Sequence, residues 1–86
     1  MRHATDADLD RLEPLLEALR GRDGLRERRR GNFLLRSRAF LHFHGHGDEL
    51  YADVRLDGVD FERRNVTTAT DQARLLDEID ACLDGS

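Results

Sequence analysis

The chain has 86 residues, with 14 basic side chains, all arginine, against 18 acidic ones and a formal charge of −4. That balance excludes the strongly basic footprint of a nucleic-acid-binding domain, and 38% apolar content suits one small core, so residues 1–86 read as a single domain. No apolar run approaches the roughly 18 residues of a membrane span, the amino terminus lacks the apolar stretch of a signal peptide, and Cys82 has no second cysteine to pair with, which together predict a soluble, cytoplasmic protein with no membrane partner.

Thr5 opens the first helical signal, with Asp6 and Asp8 where the helix dipole favours anions. Leu9, Leu12, Leu16 and Leu19 follow at helical spacing. Pro14 interrupts this stripe, so the helix either kinks there or yields to a second helix with Pro14 in its first turn. Residues 25–30, which follow Gly21 and Gly24, resist assignment: one leucine among four arginines cannot hold a helix on a core, and the segment reads as a turn or frayed helix ending at Gly31.

Four strands come next, near Asn32 to Arg36, Ala39 to His44, Glu49 to Leu56 and Val59 to Val66. Asp57-Gly58 is the strongest hairpin signal, and as a two-residue turn it sets Val54 against Phe61 and Asp53 against Glu62. Gly45-His46-Gly47-Asp48, taken as a four-residue loop, sets Leu41 against Ala52, His42 against Tyr51 and Phe40 against Asp53, and leaves His46 outside the strand. Thr70 then caps a carboxy-terminal helix striped by Leu76, Ile79 and Leu83 and ended by Gly85. The expected architecture is a two-layer α+β sandwich: a four-stranded antiparallel meander flanked by an amino-terminal and a carboxy-terminal helix on one face.

On that layout the uncovered sheet face carries Phe40, His42, His44, Tyr51, Asp53, Arg55 and Arg64. Aromatics among mixed charges suit contact with a protein partner or a second copy of the chain, so a homodimeric binding module is the leading expectation. The alternative is a metal site. His42 and His44 lie two apart on one strand, and Glu49 or Asp53 on its neighbour supplies a carboxylate, a set that suits zinc or iron. Same-face neighbours on a strand are about 7 Å apart, so both rings have to lean inward to share an ion. A cofactor is otherwise not expected, and no serine or cysteine nucleophile falls on this face to support covalent catalysis.

Two resemblances accompany this reading. The opening Arg2-His3-Ala4-Thr5-Asp6-Ala7-Asp8-Leu9 looks like the start of a GNAT acetyltransferase, but the Gly-rich turn that holds acetyl-CoA in those enzymes has no counterpart here. The run Phe40-Leu41-His42-Phe43-His44, followed by Ala52-Asp53-Val54-Arg55, resembles a strand pattern of small bacterial proteins and is distantly similar to YjbR-like and luciferase-type small domains. That resemblance implies an α+β fold and assigns no catalytic residue.

Overall fold

The computed structural model describes residues 1–85. Among these the chain is α+β, with the element order β1 (Arg2–His3), α1 (Asp6–Arg11), α2 (Glu13–Arg20), β2 (Leu25–Arg29), β3 (Asn32–Leu35), β4 (Arg38–His46), β5 (Glu49–Val54), β6 (Glu62–Asn65) and α3 (Ala69–Asp84). The sheet runs β2-β3-β4-β5-β6, antiparallel throughout, and β1 pairs with β4. The expected four-stranded layout therefore gains β2 beside β3 and β1 beside β4.

The amino-terminal leucine stripe is carried by two helices. Thr5 caps α1 in a capping box, its hydroxyl accepting from the Asp8 amide while the Asp8 carboxylate accepts from the Thr5 amide. The helix breaks at Leu12, and Pro14 sits in the first turn of α2, where its missing N–H costs nothing. The carboxy-terminal helix begins two residues earlier than expected, because Thr68 and not Thr70 caps it, in a second capping box with Asp71. Its spacing places Leu75 and Ile79 in one buried row.

Residues 25–29 form a strand, correcting the expected turn or frayed helix. Its apolar content is too low to announce it, yet Leu25 joins the core margin, and Glu27 is held by Arg20 of α2 and by the Gly31 amide. One hydrophobic cluster unites Leu12, Leu16 and Leu19 with Phe33, Leu41, Phe43, Ala52, Val54, Val66, Leu75 and Ile79. The apolar stripes of the helices thus meet one face of the sheet, and the histidine-bearing face is left without a helix.

Two turns differ from their expected geometry, with opposite consequences. The β4–β5 connection is the two-residue turn Gly47-Asp48, with Gly47 at φ +59°, so pairing moves by two residues: Leu41 faces Val54, His42 faces Asp53 and His44 faces Tyr51. A shift of two preserves faces. It also keeps His46 in the strand, opposite Glu49. The Asp57-Gly58 segment is not a two-residue hairpin. The Asp57 carboxylate accepts from the Val59 and Asp60 amides, closing a wider loop. Val54 then pairs with Glu62 and Asp53 with Arg63. This slip of one turns β6 over, and it is fixed by Val66, fully buried, whose amide donates to the Leu50 carbonyl.

Candidate metal centre

β4 and β5 are central strands, and their register sets His42 directly across from Asp53, with His44 the next residue on the same face. The Asp53 carboxylate is the hub. Its Oδ2 lies 3.0 Å from His44 Nε2 and 3.4 Å from His42 Nε2. Its Oδ1 accepts from Arg63 Nε at 2.9 Å, and Oδ2 from Arg63 Nη2 at 3.1 Å. The imidazoles lean toward each other, with centroids 4.9 Å apart and planes nearly perpendicular, closing the wide spacing that the strand alone imposes. One potential ligand atom from each of His42, His44 and Asp53 falls within 4.8 Å of the other two.

Aromatic neighbours bracket the trio. His3, on β1 opposite His44, places its ring 5.2 Å from that of His44, and Phe61 stands edge-on to His42 at 4.9 Å. The side chains of His44 and Asp53 are each only 13% exposed, although no helix of the described residues covers this face. Burial pushes the His42 imidazole below its ordinary value, with the nearby Asp53 charge working in the other direction. Hydrogen bonds from Arg63 hold the Asp53 carboxyl below the usual carboxylate range. At neutral pH the site therefore offers a neutral His42 imidazole and an ionised carboxylate, the forms in which these groups ligate metals.

The remaining expected residues are dispersed. Tyr51 is half-buried beside the trio, opposite His44. Phe40 is not on the open face: a bulge between β3 and β4 sets Ala39 and Leu41 against the successive residues Leu34 and Phe33, and Phe40 turns into the core at 2% exposure. Arg64 lies on the helix side, because of the one-residue slip, and pairs with Glu78 of α3. Arg55 leaves the strand and lays its guanidinium 4.3 Å over the Phe61 ring. Glu49 bonds Asn65 and Thr67 and stands across from His46, outside the trio.

Arg63 and His3 are the residues that sequence reasoning missed. A two-residue strand leaves no periodic trace, so nothing marked His3 beyond its being one of four histidines. A two-residue Asp57-Gly58 turn, which sets Asp53 against Glu62, puts Arg63 on the opposite face, and the buried Val66 three residues on is the signal that places it correctly. The chain matches no family model, no curated protein and no solved structure, so its chemistry is read from its own side chains.

Proposed function

We propose that this protein binds a divalent transition-metal ion through His42, His44 and Asp53, with zinc or ferrous iron as the ions suited to two imidazoles and a carboxylate. The observation that carries this reading is the convergence of three donor atoms within 4.8 Å from two adjacent central strands. Arg63 supports it as an outer partner that fixes the carboxylate's orientation. Three protein ligands leave coordination positions open to water or an exogenous ligand.

A contact face for a protein partner or a second copy of the chain is the other reading. Exposed Val59 and Phe61, beside Arg55, favour it. It has lost Phe40 and Arg64 from its expected surface, however, whereas the metal reading has gained a direct His42–Asp53 pairing.

Untagged, chelator-stripped protein titrated with zinc should bind one ion per chain. His44→Ala and Asp53→Asn should each weaken binding by roughly 100-fold or more, beyond the ~10–100-fold lost with an outer-shell partner. His46→Ala, on the same strand but outside the trio, should bind like the parent. Absence of stoichiometric zinc and iron binding, or equal losses in all three variants, would overturn the assignment.

A further inference from the structure

Both β1 and β3 pair with β4, but at different heights. β1 meets it at His44 and Gly45, and β3 meets it at Arg38, Ala39 and Leu41. The stretch His42-Phe43 lies between these pairings, and a cleft of about 490 Å³ opens there, lined in part by His3, Arg29, Asn32 and His42. Among the described residues no carboxylate lines this cleft, in a chain with more acidic than basic residues.

The two arginines at its rim have different roles. Arg30 is committed to Asp10 and Glu13 on the helix side. Arg29 is exposed and, among the described residues, has no ion-pair partner, so its guanidinium fork is available. Asn32, whose Nδ2 donates one long bond of 3.5 Å to the Arg30 carbonyl and keeps a second N–H, and the His3 ring add hydrogen-bonding groups, and buried Phe43 contributes an apolar part of the wall. On the histidine side, the Asp53 carboxylate is paired with Arg63, whose guanidinium offsets its charge.

We infer that this cleft binds a small oxyanion, a phosphate or a carboxylate, with Arg29 as its principal anchor and Asn32 and His3 as flanking partners. A guanidinium fork matches two oxygens of either group. The site borders the metal trio through His42 but does not require the metal, so the two proposals stand or fall separately.

The test is a titration of the metal-free full chain, at constant ionic strength, with inorganic phosphate and in parallel with acetate, followed by amide and side-chain NMR shifts. Saturable shifts confined to His3, Gly31, Asn32 and the Arg29 Nε–H are expected for one or both anions, and the comparison between them identifies the preferred oxyanion. Arg29→Gln should weaken the binding about tenfold, the effect of losing a charge-assisted hydrogen bond. Arg74→Gln, an exposed arginine on α3, should leave it unchanged. Shifts that grow linearly with both anions, or saturable binding indifferent to Arg29, or equal losses in the two variants, would overturn the proposal.

Discussion

Gly31 occupies the tip of the β2–β3 hairpin at φ +82°, a conformation that a Cβ penalises. It is also pressed against the core, since a Cβ there would come within 2.7 Å of Leu9 Cδ2. Two separate costs therefore fall on Gly31→Ala: a left-handed backbone cost of roughly 1–2 kcal/mol and an overpacking cost of roughly 1–3 kcal/mol. Gly47, at φ +59°, has open space where its Cβ would stand, so Gly47→Ala bears only the first. Urea midpoints of the two variants separate the terms: both should fall, and Gly31→Ala by clearly more. Equal losses would mean that Leu9 moves aside freely. The same close packing matters to the cleft, because Gly31 stands in its wall between Arg30 and Asn32.

At the scale of the element, the β3–β4 connection is a place where local chemistry disagrees with the fold. Leu35 pairs with Arg38, leaving Arg36 and Ser37 as a two-residue turn with φ of 53° and 67°. Both residues carry a Cβ in the left-handed region, where Asn-Gly is the favoured pair. Replacing them together, Arg36→Asn with Ser37→Gly, should stabilise the chain by about 1 kcal/mol, raising the urea midpoint at unchanged slope. A midpoint that stays or falls would show the turn to be unstrained. This mismatch also explains which elements were legible. Leucine spacing and threonine caps revealed the helices, and alternation revealed β4 and β5. By contrast, β2 is mostly arginine and β1 has two residues, so neither carries enough apolar pattern to be seen. The registers were legible only as far as the turns were. A two-residue error at Gly47-Asp48 kept His42, His44, Tyr51 and Asp53 on one face and hid the His42–Asp53 pair, while a one-residue error at Asp57-Gly58 sent Arg63 and Arg64 to each other's faces.

Across the whole molecule, ion pairs tie the helices to the sheet. Arg20 of α2 binds Glu27 of β2, Arg30 of the β2–β3 turn binds Asp10 of α1 and Glu13 of α2, Arg64 of β6 binds Glu78 of α3, and Arg2 of β1 binds Asp8 of α1. Each pair has at least one partner open to solvent and contributes little alone, but they share a dependence on ionised carboxylates. The Thr5 backbone N–H, first, and then Arg2 hold Asp8 below its ordinary value of 3.8; the Arg20 hydrogen bond, first, and then the Gly31 amide hold Glu27 below 4.5. With folded values beneath unfolded ones, the unfolded chain binds more protons in the interval between them, so stability rises with pH there. The contribution is therefore complete above about pH 4.5 and is lost as the pH falls through that window, where the 14 arginines also become unbalanced. Urea midpoints of the metal-free chain should then change little between pH 7 and 5 on account of these two groups and fall steeply below pH 4.5. Asp8→Asn, which removes a charge but keeps a side chain able to accept the Thr5 amide, should lower the neutral-pH midpoint and flatten the acid limb. An acid limb of unchanged steepness in Asp8→Asn and Glu27→Gln alike would assign the acid sensitivity to other carboxylates and refute the role given to these two.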